Sequence, residues 1–220
     1  MRYHKIPDET VRRLPIYLRG LMVSADQGLD HISSKSLAEF VGVQSWLIRK
    51  DFSYFGDFGT PGVGYNIERL AREIKKILRL DMIRKAALVG VGDLGSALLA
   101  YPGFRVYGLD IVAAFDTDPK KIGKAVHGVR VEDLTRLGTL ARRGISLAIL
   151  AVPRAAAQPT AEKLVEAGVR GILNFAPCKV AVPRRVKVIT LDIAMELARL
   201  PYYIPAGGTG EKALTGKAAQ

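Results

Sequence analysis

The 220-residue chain predicts an α/β fold, a doubly wound parallel sheet preceded by a smaller helical region. Three observations carry that expectation. A branched apolar run, Ala86 to Val89, breaks into Gly90-x-Gly92-x-x-Gly95, and apolar positions at helical spacing (Leu94, Leu98, Leu99) follow at once. A second apolar run, Ile111 to Phe115, ends on the carboxylate of Asp116. Beyond it, strand-like and helix-like stretches alternate to about residue 191.

The glycine pattern has a mechanism when it sits between a strand and a helix. Gly90 permits the tight turn, Gly92 lets a pyrophosphate approach bare backbone, and Gly95 lets the helix pack on the strand; Val91, Asp93 and Leu94 complete the turn. The helix N-terminus then offers N–H groups to the anion. This is the Rossmann-type dinucleotide signature. Asp116, with Thr117 beside it, would accept hydrogen bonds from an adenosine ribose and repel a 2′-phosphate, favouring NAD(H) over NADP(H). The alternative is that Asp116 only caps the turn Asp116-Thr117-Asp118-Pro119.

Composition narrows the class. Apolar residues make up 49% and charged residues 25%, enough for a packed core. No apolar run approaches the ~18 residues of a membrane span, which argues against a membrane partner. The start, Met1 to Pro7, lacks the apolar core of a signal peptide, and a single cysteine excludes an intrachain disulfide. A cytoplasmic location is the expectation. The net charge of +12 suits a polyanionic partner, although the excess is spread along the chain and supports nucleic acid only weakly.

Taken in order, residues 8–23 read as an amphipathic helix that Pro15 confines or kinks, closed by Gly28. Ser34 or Ser36 is the cap of the next helix, with Glu39 completing a capping box with Ser36; Leu37, Ala38, Phe40 and Val41 lie on or near its inner face. Gly42 supplies a turn, and a second helix starts near Gln44 with Leu47, Ile48, Phe52 and Phe55 available for burial. Arg49, Lys50, Ser53 and Tyr54 remain for its outer surface. Two short helices joined through a glycine turn are the pattern of a helix-turn-helix, whose second helix enters a major groove. Gly56 to Tyr65 then reads as a small hairpin, a wing carrying Thr60 and Gly62; the alternative is a helical subdomain with a glycine-rich linker. A basic amphipathic helix over 67–80 leads into the first strand of the sheet.

After Asp116 the pattern predicts a helix over 131–141, a strand over 145–152, a helix over 155–167 that is irregular near Pro159, strands over 171–175 and 186–191, and a last helix over 192–200. Ligands bind at the carboxyl ends of such strands, so Val152, Pro153, Asn174, Phe175 and Ala176 are candidates for the nicotinamide end of a pocket, or else plain strand stops. Residues 205–220 read as disordered. The three histidines show no metal spacing, so no metal site is expected. No histidine lies near the nicotinamide strands, and no catalytic residue is assigned.

These residues together resemble the redox-sensing transcriptional repressors of the Rex family. The resemblance is carried by Arg49-Lys50-Asp51-Phe52-Ser53-Tyr54-Phe55-Gly56, then Gly59-Thr60-x-Gly62-Val63-Gly64-Tyr65 and Val89-Gly90-x-Gly92-x-Leu94-Gly95-Ser96-Ala97. It continues through Tyr101-Pro102-Gly103-Phe104, Phe115-Asp116-x-Asp118-Pro119-x-Lys121-Ile122-Gly123, Val152-Pro153 and Gly171 to Pro177. It implies a winged-helix DNA-binding domain over 1–80, an NAD(H)-binding Rossmann domain over 81–191 and a helix over 192–204 exchanged between the subunits of a homodimer. The partner is double-stranded operator DNA, met through Arg49, Lys50, Ser53, Tyr54, Thr60 and Gly62. The cofactors are NADH and NAD⁺, with NADH releasing the DNA. By position, Arg19, Tyr101 and Asp192 would link cofactor state to the DNA-reading part, Tyr101 also lying at the cofactor. Two positions depart from the family pattern: Pro61 where arginine is common and Leu47 where glutamine is common. The competing functions are an NAD-dependent oxidoreductase and a CoA- or nucleotide-binding module without DNA function.

Overall fold

The computed structural model describes residues 6–204. The described residues divide into two compact units, one running from Ile6 to Arg84 and taking in Gly103–Asp110, the other comprising Lys85–Pro102 and residues 111–204. A cut at residue 80 takes no account of that returning segment, whose Tyr107 packs on the first unit's core.

The first unit contains α1 (Asp8–Asp26), β1 (His31–Ile32), α2 (Ser34–Val41), α3 (Ser45–Ser53), β2 (Gly59–Thr60), β3 (Gly64–Asn66) and α4 (Ile67–Ile77). The strands form an antiparallel sheet in the order β1-β3-β2. The helices bury Leu14, Leu18, Leu21, Leu37, Ile48, Leu70 and Ile74 around Phe52, whose ring meets Tyr17, Phe58 and Tyr65 edge-on at 5.3–5.9 Å between centroids. Gly42 turns the chain between α2 and α3 in the left-handed region (φ 70°), where a side chain would be strained.

Two expectations change here. Pro15 does not interrupt α1: Pro15 and Val11 both lie on the exposed side, where water can take the bond the proline removes. The cap of α2 is Ser33, not Ser34 or Ser36. Leaving β1, the chain is extended at Ser33 (φ −78°, ψ 158°), and the Ser33 hydroxyl accepts the Ser36 N–H at 3.0 Å. Ser36 is therefore inside the helix and pairs back to Ser33 Oγ at 2.9 Å, so Glu39 makes no capping box with it.

The second unit is built on a seven-stranded sheet. Its strands are β4 (Arg84–Val89), β5 (Leu109–Asp116), β6 (Ala125–Val126), β7 (Val129–Asp133), β8 (Leu147–Leu150), β9 (Gly171–Asn174) and β10 (Lys187–Thr190), in the order β10-β9-β8-β4-β5-β7-β6. The pairings β4–β8, β8–β9, β9–β10 and β5–β7 are parallel; β6 joins β7 antiparallel at the edge. Counting the parallel strands along the chain, the spatial order is 3-2-1-4-5-6, and the direction of winding reverses between β4 and β8. Ala87, Ala113, Phe115, Ala148 and Leu150 build the core with Ala157, Ala161 and Leu164 of α7 (Arg154–Glu166). That helix is uninterrupted at Pro159, because Pro159 and Ala155 are exposed, as at Pro15.

The helix predicted over 131–141 does not form. Val129 and Val131 alternate with exposed Arg130, Val131 is fully buried beside Ala114, and the strand β7 extends the sheet. Asp133 then caps a 3-10 turn, Leu134–Thr139, by accepting the Thr135 N–H at 2.8 Å. The remaining helices are α5 (Asp93–Ala100), which follows β4, α6 (Gly103–Val106) in the segment that returns to the first unit, and a terminal helix α8 (Ile193–Ala198) followed by the 3-10 turn Leu200–Tyr203. The tail expected to be disordered, 205–220, lies outside the described residues.

Candidate functional site

The outer face of α3 is held from beneath by an acid. Asp51 is buried (1% exposed), and its carboxylate accepts from Thr10 Oγ1 (2.9 Å), Arg13 Nε (2.6 Å), Arg13 Nη2 (2.8 Å) and Tyr17 Oη (2.6 Å). Burial by itself would raise its pKa. The bonds from Arg13, Tyr17 and Thr10 outweigh that and hold it below the ordinary carboxylate range. Burial and the same carboxylate push the Tyr17 phenol up, so tyrosine stays protonated and donates. All four donors come from one stripe of α1, so the carboxylate fixes the orientation of α3 against α1. Sequence reasoning quoted Asp51 without giving it this role; the signal available was Thr10, Arg13 and Tyr17 at i, i+3 and i+7 around buried Leu14.

With α3 so held, Arg49 and Lys50 are exposed. Arg49 Nη1 donates to Ser34 Oγ at 2.9 Å, tying the two helices of the turn motif. A groove of about 450 Å³ joins Ser34 and Arg49 to the hairpin residues Thr60, Pro61 and Gly62, so three of the predicted DNA residues share one surface. Ser53 and Tyr54 do not line that groove; Ser53 Oγ donates to the Lys50 carbonyl and Tyr54 is half-buried. The hairpin tip turns through Gly62 (φ 79°), with the Val63 N–H on the Thr60 carbonyl at 3.0 Å. Trp46, the single tryptophan, is 55% exposed one turn before Arg49 and Lys50; sequence reasoning passed over it.

In the second unit the glycine turn joins β4 to α5 at the point where the sheet reverses. Gly90 (φ 94°) passes so close to Ala151 that a Cβ would strike the Ala151 carbonyl, and a Cβ on Gly95 would strike the Gly90 carbonyl. A Cβ on Gly92 would meet no atom within 4 Å. Two glycines are thus required by packing, and the middle one borders open space at the N-terminus of α5, where no side chain caps the helix. Asp116 ends the neighbouring strand. Its Oδ2 accepts the Val91 N–H at 2.8 Å and Lys121 Nζ at 3.2 Å, and Oδ1 accepts the Asp118 N–H at 2.9 Å. Burial opposes ionisation there, but the Asp118 and Val91 N–H groups and the Lys121 ammonium together hold the carboxyl below its usual range. Asp116 does cap the turn containing exposed Thr117, and it is also set directly beside the glycine loop. A backbone cradle, a helix N-terminus and an ionised acceptor on the next strand fit a dinucleotide's pyrophosphate and ribose.

At the carboxyl ends of β8 and β9, Val152 is half-buried and Pro153 begins α7. The Asn174 side chain is fully buried and braces its own loop: Nδ2 donates to the Ala176 and Cys178 carbonyls, Oδ1 accepts the Ala176 N–H, and Phe175 N–H reaches the Leu150 carbonyl. Of the three residues expected to communicate, Arg19 is exposed on α1, Tyr101 is exposed at the end of α5, and Asp192 caps α8 by accepting the Ala194 N–H at 3.1 Å and the Met195 N–H at 3.3 Å.

Comparison with known proteins matches both halves of this arrangement. Residues 5–53 match the family model "Putative DNA-binding protein N-terminus", and residues 81–178 match that of the CoA binding domain. A protein of Halalkalibacterium halodurans named redox-sensing transcriptional repressor Rex is 46% identical over 91% of this chain and 95% of its own length. Relatives with that name in Chloroflexus aurantiacus and Lactobacillus gasseri are 43% and 45% identical over 90% and 91% of the chain, covering 94% of each. The chain belongs to the Rex family. Among solved structures, RSP in complex with β-NAD⁺ and operator DNA superposes with a TM-score of 0.84 at 35% identity, covering 90% of this chain and 92% of RSP. RSP in complex with β-NADH gives 0.82 at 34% identity, covering 90% and 94%. The Rex fold, a DNA-binding N-terminal part and a Rossmann-type sheet, is therefore the fold of this chain.

Proposed function

We propose that this chain is a DNA-binding transcriptional repressor that senses the NADH/NAD⁺ ratio, with NADH at the glycine turn releasing operator DNA. The observation that carries the proposal is the coexistence in one chain of a braced, cation-faced helix beside a wing and a dinucleotide cradle with an ionised acceptor. Relatives matched over nine-tenths of the chain are named redox-sensing repressors rather than enzymes, and RSP was crystallised with NAD⁺ and with operator DNA.

On this reading Arg49 and Lys50 meet the duplex from the recognition helix, with Ser53 and Tyr54 at its far end. Thr60 and Gly62 bring the wing backbone to the sugar-phosphate chain. Gly90 and Val91 shape the turn, their own N–H groups going to the Phe115 carbonyl and to Asp116. Gly92, Asp93, Leu94 and Gly95 offer the pyrophosphate the backbone at the N-terminus of α5, and Asp116 with Thr117 holds the adenosine ribose. Val152, Pro153, Asn174, Phe175, Ala176 and Tyr101 enclose the nicotinamide end, Asn174 by keeping its loop in shape. The bound dinucleotide supplies a ring whose two redox states differ by a hydride and a positive charge.

The active species is a homodimer in the cytoplasm. Ile193, Met195, Leu197 and Tyr202 expose 60–87% of their surface on and just after α8, an apolar run that a second subunit would cover. Two recognition helices must meet half-sites at fixed spacing, so a modest change in subunit arrangement, relayed through Arg19, Tyr101 and Asp192, suffices to release DNA. Linkage makes the effect reciprocal: saturating operator must weaken NADH binding by the factor by which NADH weakens operator binding. Binding of genomic promoter fragments is measured at one salt concentration with NADH, with NAD⁺ and with neither. Release by NADH and retention with NAD⁺ are expected; equal retention in all three rejects the proposal.

A further inference from the structure

Lys121 stands in the turn after β5, its ammonium 3.2 Å from Asp116 Oδ2. The other two partners of that carboxylate are backbone N–H groups whose positions the chain sets. Lys121 is the partner on a flexible stem, and its side chain is 37% exposed against 11% for Asp116. Its backbone is anchored independently of the ion pair: the Lys121 N–H donates to the Asp118 carbonyl at 3.0 Å, and the Gly123 N–H donates to the Val131 carbonyl at 2.8 Å. Exposed Lys120 and Lys124 flank it. Of the acids close by, Asp118 turns Oδ1 onto the Lys120 N–H at 2.9 Å, and Asp133, the register partner of Asp116 on β7, turns Oδ1 onto the Thr135 N–H at 2.8 Å.

We propose that Lys121 is a latent receptor for a dinucleotide 2′-phosphate, kept out of use by its ion pair with Asp116. This rests on the reading that the adenosine ribose lies at Asp116. A ribose 2′-oxygen bonded to either oxygen of the Asp116 carboxylate would come within a few ångströms of the Lys121 ammonium, which lies 3.2 Å from Oδ2. In the native site the carboxylate neutralises the ammonium and repels a 2′-phosphate, so the unphosphorylated dinucleotide is selected. With the carboxylate's charge removed, the ammonium loses its ion-pair partner, and a phosphate supplies another through a charge-assisted bond. Specificity for NAD(H) over NADP(H) is then set by one acid placed over an existing cation, and Lys121 determines what happens when that acid is changed.

The test titrates NADH and NADPH by their own fluorescence against the full-length chain and its Asp116→Asn, Lys121→Ala and Asp116→Asn/Lys121→Ala variants, with far-UV circular dichroism as the folding control. Asn keeps an acceptor for the Asp118 N–H; Asp116→Ser is carried as a second background. The wild-type chain is expected to bind NADH and discriminate against NADPH. Asp116→Asn is expected to gain about tenfold or more in NADPH affinity, the scale of one charge-assisted bond. Adding Lys121→Ala is expected to remove that gain while leaving NADH affinity within about twofold of Asp116→Asn, a difference below ~0.5 kcal/mol. Equal NADPH affinity with and without Lys121 in both Asp116 backgrounds, or no gain in either, overturns the inference while leaving the sensor reading intact. A wild-type chain that binds no NADH overturns the sensor reading itself.

Discussion

At Gly92 the backbone angle (φ −81°) is open to any residue, and an added methyl would touch nothing within 4 Å. Gly92→Ala is therefore expected to fold and melt like the parent yet lose NADH binding by about tenfold or more, because the methyl enters the space a pyrophosphate needs. Unchanged NADH affinity in a titration would remove the pyrophosphate from this turn. Asp51 is the converse case, a side chain whose work is internal. Asp51→Asn removes the charge facing Arg13 and is expected to destabilise the first unit by about 3 kcal/mol. The melt is followed through Trp46, which lies on the same helix. The sign of the pH effect follows from the depressed folded pKa. The carboxylate's contribution is present above its unfolded value near 3.8 and is lost as pH falls through the lower folded value. Wild-type Trp46 emission should thus report weakening from about pH 4 downward, with a flatter acid limb in Asp51→Asn; parallel acid limbs would contradict this.

Among the elements, the wing depends on glycines more than on side-chain pairing. Its strands are two and three residues long, Gly59 lies against the Tyr65 ring, and Gly62 takes a positive φ at the tip. Gly62→Ala is expected to cost about 1 kcal/mol at the tip and to weaken operator binding with NADH affinity unchanged. An unaltered operator titration would exclude the wing from the DNA surface. The elements also show where pattern reading succeeds. Helices α2, α3 and α4 and strands β4, β5, β8 and β9 were legible because each has one apolar face, or a fully apolar run, bounded by a cap, glycine or proline. The helix expected over 131–141 was not, because Leu134, Leu137 and Leu140 mimic a helical stripe. The pairing of Val131 with β5 outweighed that local signal.

For the molecule as a whole, the DNA surface is expected to act through charge and the nucleotide site through shape. Arg49→Ala and Lys50→Ala should each lower the slope of log affinity against log salt by about one, as loss of one phosphate contact does. A slope equal to wild type in both variants would take these cations off the phosphates. The net charge of +12 is not confined to the first unit, so the salt slope, rather than composition, identifies which cations meet DNA.

What the sequence by itself determined is the order and type of most elements and the two chemical signatures, the glycine turn with its downstream acid and the basic second helix with its wing. These are local properties, written in spacing over a few turns of chain. The tertiary structure alone decided which acid braces α3, which serine caps α2, which strand joins the sheet beside β5, and that Lys121 shares an oxygen of Asp116 with the Val91 N–H. The first, third and fourth join residues from separate elements or from opposite ends of a turn; the Ser33 cap depends on the path by which the chain leaves β1. Periodicity reports which face of an element is buried, not which neighbour it meets there.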